Sequence, residues 1–190
     1  MDFYAYLNRM KYIERWPLMH SSFKENIMEH SHHTAVIAHS LAVINQKIFG
    51  GNADPQKAVM IALYHEISEV ITGDMPSPIK YFNHNIKKAY KDLEHFANEK
   101  LINMLPGDFQ EEYRQYITPD PECIEYRLCK CADKLSAYIK CIEEIKSGNS
   151  EFKKAKTSIR KILDNMELRE VKYFLDNFIP SYQKTLDELE

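Results

Sequence analysis

Apolar residues recur every three or four positions along most of the chain, the period of helices that each bury one side. Phe3, Leu7 and Met10 share a face in a first helix expected over Asp2 to Ile13. It must end before "ERWPLMH", because Pro17 restrains Trp16 away from helical geometry. Beyond the polar stretch "HSSFKEN", a second helix is expected from about Glu29 to Phe49, with Val36, Ile37, Leu41, Ile44 and Ile48 on its apolar side. Asp54-Pro55 reads as an N-cap followed by proline at the first helical position. The third helix then carries Ala58, Ile61, Ala62, His65 and Glu69 along one stripe and stops near Gly73.

"GDMPSPIKY" cannot continue as regular helix through its two prolines. A fourth helix is expected from about Tyr81 to Leu105, closed by Pro106-Gly107, and a shorter one around Phe109 to Ile117 before the turn "TPDPE". The sixth, Glu122 to Lys146, has Leu128, Ala132, Leu135, Ile139 and Ile142 at helical spacing and ends at "SGNS". Helices over about Glu151 to Asn165 and Glu167 to Phe178 complete the pattern, with a short tail after about residue 180. The five glycines fall at breaks between periodic segments. With no repeat and no long linker, the expectation is one all-α domain spanning residues 1–190, a length that suits one substantial core.

Charge narrows the partners. The 25 basic and 28 acidic side chains leave a net charge of −3, so nothing draws the whole chain to nucleic acid. Lys80, Lys87, Lys88, Lys91 and Lys100 are interspersed with acids, as on a solvated face. No apolar run approaches membrane-spanning length and no secretion signal opens the chain, which together predict a cytoplasmic protein without a membrane partner. Cys123, Cys129, Cys131 and Cys141 crowd into one helical region, a spacing that suits reduced thiols better than a disulfide framework.

The segment "ALYHEISEVITGDMPSP" concentrates His65, Glu66, Glu69 and Asp74. Adjacent residues lie about 100° apart around a helix, so His65 and Glu66 can serve one ion only at the margin of a buried face. His30 is placed to contribute from the start of the second helix, and Asp133 interrupts good core material in the sixth. Two imidazoles and two carboxylates suit a catalytic transition metal with positions left for water and phosphate. His33, three residues after His30 on nearly the same face, rivals it, and His32 and His39 are further candidates. Glu69 read alone is a helix partner for a lysine, Asp74 a turn residue and Trp16 core packing.

The order "ENIMEHS", "YHEISEVITGDMPSPIKY" and "CKCADKLSAYIKCIEE" resembles the HD-domain phosphohydrolases, and within them the bacterial 5′-deoxynucleotidases; "RWPLM" and "FIPSY" extend the likeness to both ends. The resemblance implies an all-helical fold, a homodimer, and a divalent cation such as cobalt or manganese held by His30, His65, Glu66 and Asp133. It also implies a catalytic acid at Glu69, substrate contacts at Arg15 and Trp16, and a sugar contact at Asp74; Lys80, read by itself, either supplements the charge at the phosphate or is a surface lysine. The implied reaction releases phosphate from deoxyribonucleoside 5′-monophosphates. One departure stands out: the family pattern has aspartate after the second histidine, whereas this chain has Glu66, one methylene longer. Two alternatives stand beside this reading: another HD phosphohydrolase, acting on nucleoside triphosphates or signalling nucleotides, and, because of Glu66, a weakly catalytic nucleotide- or metal-binding regulator.

Overall fold

Ten α-helices, joined by turns, short 3₁₀ segments and a longer connection over 13–26, make up the computed structural model, which describes residues 1–189. They are α1 (Phe3–Leu7), α2 (Ile27–Lys47), α3 (Pro55–Tyr64), α4 (Glu69–Thr72), α5 (Ser77–Lys80), α6 (His84–Ile102), α7 (Gly107–Ile117), α8 (Ile124–Lys146), α9 (Lys153–Asp164) and α10 (Arg169–Asn177). Among the described residues the one β feature is an isolated antiparallel bridge between Glu14 and Asn26. The all-helical expectation therefore holds.

Local chemistry sets the helix ends. The Asn26 side chain accepts the N–H groups of Met28 and Glu29 while Glu29 reaches back to the Asn26 N–H, so α2 begins with a capping box. Asp54 accepts from Gln56 and Lys57 and starts α3 directly before Pro55. Gly73, at φ 72°, ends α4 in a conformation that a side chain would oppose.

Four differences from the sequence expectation stand out. The first helix changes after Leu7 into a 3₁₀ turn over Asn8–Tyr12. The third breaks in two, with residues 65–68 outside α3 and α4. One helical turn does form at Ser77–Lys80, because a proline in a first turn removes an N–H that has no partner anyway. Val36 and Ile48 are exposed, since α2 turns its Ala35, Ala38, Leu41 and Ala42 side inward.

Helices α2, α3 and α8 pack together around Leu41, Ile61, Leu128, Leu135 and Ile139, and α10 closes the core with Phe174 and Leu175. A smaller cluster gathers Phe3, Ile67, Leu101, Ile102, Leu105 and Ile117. The interrupted turn at residues 65–68 joins the two, since Ile67 belongs to the second and α3 to the first. Helix α8 also buries Asp133, Ser136, Lys140 and Glu144, four polar residues at steps of three and four along one stripe. The cysteines are free thiols, and burial pushes those of Cys129, Cys131 and Cys141 up to about 12. No described helix is long and apolar enough to cross a membrane.

Candidate metal centre

Three helices aim donors at one point. The capping box fixes the first turn of α2, so His30 enters the core one turn later, fully buried. Asp133 reaches the same place from the middle of α8. At the end of α3 the His65 Nδ1–H donates to the Ala62 carbonyl at 2.6 Å, occupying the acceptor that a continuing helix would offer to the Glu66 N–H. The backbone then tightens to i→i−3 bonds, Ile67 to Tyr64 and Glu69 to Glu66. Residues 65–68 thus leave the regular α-helix, and at this break two neighbouring side chains present donors to one centre. His65 and Glu66 both arrive there.

One potential ligand atom from each of His30, His65, Glu66 and Asp133 lies within 4.8 Å of the others. His30 Nε2 is 3.1 Å from Asp133 Oδ1, and His65 Nε2 is 3.4 Å from Glu66 Oε1. With its proton on Nδ1, His65 turns a bare Nε2 lone pair into the cluster, and that buried atom has no hydrogen-bond partner. An orphaned acceptor beside two carboxylates is costly unless a cation completes it. The donor set fits a divalent metal ion. Burial keeps both imidazoles neutral, holding His30 down at about 3 and His65 below its ordinary value.

Around this cluster the remaining expected residues separate. Glu69 is 5% exposed, and burial together with the adjacent Glu66 carboxylate pushes its carboxyl far above the usual range. Burial also works to raise Glu66, but its carboxyl sits low, and a hydrogen bond with Glu69 helps hold it there. Arg15 carries a buried Nη1 without a partner, while its Nε is 3.7 Å from Glu25 Oε2. Despite the burial cost, the charges of Glu25, Asp133, Glu66 and Asp74 keep the Arg15 guanidinium firmly protonated. Trp16 holds φ at 60°, donates its indole N–H to Glu25 at 3.2 Å and packs edge-on against Phe152. Such backbone strain, about 1–3 kcal/mol, collects at functional loops. Burial raises the half-buried Asp74 carboxyl, while Arg15 opposes the rise. Lys80 is instead engaged with Glu94 at 2.8 Å and lies over the Tyr90 ring.

Of the rival histidines, His33 does not join the cluster. Its Nδ1 is 3.2 Å from Ser136 Oγ, which is also 3.2 Å from His30 Nδ1. His32 and His39 stand outside the four-residue set. Lys134 donates to Asp133 Oδ2 at 2.9 Å. Lys140 and Glu144 form a buried pair at 2.6 Å that grips the segment ahead of α2: Lys140 donates to the Phe23 carbonyl, and Glu144 accepts from the Ser22 N–H and from Asn149. The only sequence signal for that clamp was an i,i+4 charge pair inside an apolar stretch.

Comparison with known proteins places this geometry in context. Residues 2–182 match the family model described as 5′-deoxynucleotidase YfbR-like. A 5′-deoxynucleotidase of Photobacterium profundum is 47% identical over 98% of this chain and 97% of its own. One from Vibrio cholerae is 46% identical with the same coverage of both. Among solved structures, an HD-domain phosphohydrolase from Listeria innocua superposes with a TM-score of 0.83 at 23% identity, covering 95% of this chain and 88% of its own. A cyanophage S-2L HD phosphohydrolase bound to dA and one catalytic Zn²⁺ gives 0.63 at 18% identity, over 93% and 96%. At those identities the two structures share the fold.

Proposed function

The chain belongs to the YfbR-like 5′-deoxynucleotidase family, and on that basis we propose that it hydrolyses deoxyribonucleoside 5′-monophosphates to deoxyribonucleosides and phosphate with a divalent metal ion. The observation that carries this reading is the convergence of His30, His65, Glu66 and Asp133 within 4.8 Å, with the His65 Nε2 unpartnered. Those four residues would hold the ion, and a mixed nitrogen and oxygen set suits a transition metal such as cobalt or manganese. When bound, the ion would acidify a water and neutralise charge on the phosphate.

The chain's own groups complete the reaction. The free Nη1 of Arg15 donates to a nonbridging phosphate oxygen and stabilises charge there as the bond to phosphorus breaks. Glu69 retains a proton through neutral pH because burial and Glu66 oppose its ionisation, and it delivers that proton to the departing 5′ oxygen. Asp74 accepts a hydrogen bond from the sugar 3′-hydroxyl, and the Trp16 ring, fixed by Glu25 and Phe152, walls the side where a ribose 2′-hydroxyl would project. Glu66 has two duties in this reading, as a ligand and as the negative neighbour that keeps Glu69 protonated. The interrupted turn at residues 65–68 supports a backbone adjustment that accommodates its longer arm.

The same reading includes a cytoplasmic homodimer, tested by sedimentation of the purified chain. The test of function strips the protein with chelator, reloads it with single divalent ions and follows phosphate release from deoxy- and ribonucleoside 5′-monophosphates. Metal-dependent release from the deoxy series is expected. No release from any monophosphate by a metal-loaded sample would overturn the assignment.

A further inference from the structure

His30, Ser136 and His33 form a continuous polar chain from the centre towards the outside of the core. His30 and Ser136 are fully buried, whereas His33 is only half-buried. Ser136 Oγ lies 3.2 Å from the Nδ1 atoms of both rings, and the other ring nitrogen of His30 lies 3.1 Å from Asp133 Oδ1. Thr34 Oγ1 is also near that nitrogen but at 3.4 Å, so Asp133 is the closer partner. A hydroxyl has one proton and a neutral imidazole has one, so the chain can run in only two consistent directions.

Without a cation, His30 Nε2–H donates to Asp133, the Ser136 hydroxyl donates to His30 Nδ1, and His33 Nδ1–H donates to Ser136 Oγ. A ligating His30 must present a bare Nε2, and every link then reverses. His30 Nδ1–H donates to Ser136 Oγ, the Ser136 hydroxyl donates to His33 Nδ1, and the His33 proton resides on Nε2. The proton count balances: one leaves at His30 Nε2, two shift inward along the chain, and one enters at His33 Nε2. His65 needs no such device, because the Ala62 carbonyl already holds its proton on Nδ1.

We propose that Ser136 and His33 are positioning residues that set the ring tautomer of His30, and that their hydrogen bonds reverse direction when the cation binds. This rests on the metal reading of the centre, and it gives His33 a task that its place on the ligand-bearing face of α2 did not reveal. Partners of this kind, which orient a ligating imidazole, typically change metal affinity by about 10–100-fold when removed.

The wild-type protein with ¹⁵N-labelled histidine is compared before and after zinc addition by long-range proton–nitrogen spectroscopy. The expected result is that the protonated nitrogen moves from Nε2 to Nδ1 in His30 and from Nδ1 to Nε2 in His33. Zinc titration of Ser136→Ala and His33→Met, with folding verified by circular dichroism, is expected to show binding weakened by about 10–100-fold. His33→Asn, whose side-chain oxygen sits where Nδ1 does and can accept the Ser136 proton, should bind near the wild-type level, which a mere space-filling role would not predict. An unchanged His33 tautomer, or Ser136→Ala and His33→Met proteins that bind zinc as tightly as the wild type, would overturn this inference while leaving the metal centre intact. A wild type that takes up no zinc would overturn both.

Discussion

Glu69 is buried with the Glu66 carboxylate beside it, and the two do not share the same preference for a proton: Glu66 lies below its ordinary value and Glu69 is driven high. Like charges in a dry site separate in this way, and the separation suits the proposed division of labour between Glu66 as ligand and Glu69 as acid. Glu69→Gln keeps the shape and removes the transferable proton. Turnover should fall by about 10²–10⁴-fold with metal content unchanged by elemental analysis. A variant that keeps the full kcat would exclude proton delivery from this position.

The same burial has a thermodynamic sign. In the metal-free protein the folded state keeps the Glu69 proton, while the unfolded chain releases it near the ordinary glutamate value of about 4.3. The folded state then binds more protons, so this group's contribution to stability declines as pH rises above that value. In chelator, Glu69→Gln should therefore gain on the wild type between pH 5 and pH 8 in urea midpoints measured across roughly that range. Parallel curves would show that the carboxyl is not held protonated.

Arg15 offers an unpartnered Nη1 beside several carboxylates. A charged hydrogen bond of this kind contributes roughly 1.5–3 kcal/mol, so Arg15→Met should lower kcat/KM for a monophosphate by about tenfold or more. Unchanged kinetics would remove Arg15 from the phosphate site.

Sugar discrimination tests the loop rather than the ion. Trp16→Ala should open room for a 2′-hydroxyl and narrow the preference for deoxyribose, while Asp74→Ala should weaken both sugars together. Competition between paired deoxy and ribo substrates reads the ratio directly. If Trp16→Ala leaves that ratio unaltered, the proposed wall has no part in selectivity.

The buried Lys140–Glu144 pair predicts a different signature. Burial works to raise the Glu144 carboxyl, but the Lys140 ammonium, the Ser22 N–H and the Asn149 amide hold it down at about 2. A depressed carboxyl stabilises above its unfolded value of about 4.3 and loses that contribution as pH falls towards the folded value. Glu144→Ala should cost about 3–5 kcal/mol near neutral pH, because it strands a buried ammonium. Its deficit against the wild type should shrink as pH falls below about 4. Calorimetry across that range would refute the clamp if the deficit stayed constant.

The helices were legible because each buries one continuous stripe, and period alone locates such stripes. The same logic failed where the period ran on through a break. Ile61, Ala62, His65 and Glu69 keep helical spacing, yet the His65 ring captures the Ala62 carbonyl and the turn tightens, a side-chain event invisible to apolar periodicity. The four clustered donors could be named from residue type and resemblance, but His33 could not be separated from His30 on spacing. Three positions along a helix differ by only about 60° around its axis, and only the partner on α8 decides between them. Lys80 shows the converse: its charge suited a phosphate, but Glu94 on α6 engages it. The Lys140–Glu144 clamp was hidden because an i,i+4 charge pair ordinarily marks a solvated face.

Asp133, Ser136, Lys140 and Glu144 share one side of a single rod, and that fixes which length changes the gene can survive. Eleven residues of helix hold the first and last of them about 16 Å apart. One codon gained or lost between them would swing every later member about 100° out of alignment, parting the clamp on the segment ahead of α2 from the donor at Asp133 in a single step. The same change in the turn before Ile124 or after Lys146 would leave the alignment along the rod untouched. Natural length variation should thus accumulate at the ends of α8 and be purged from its middle.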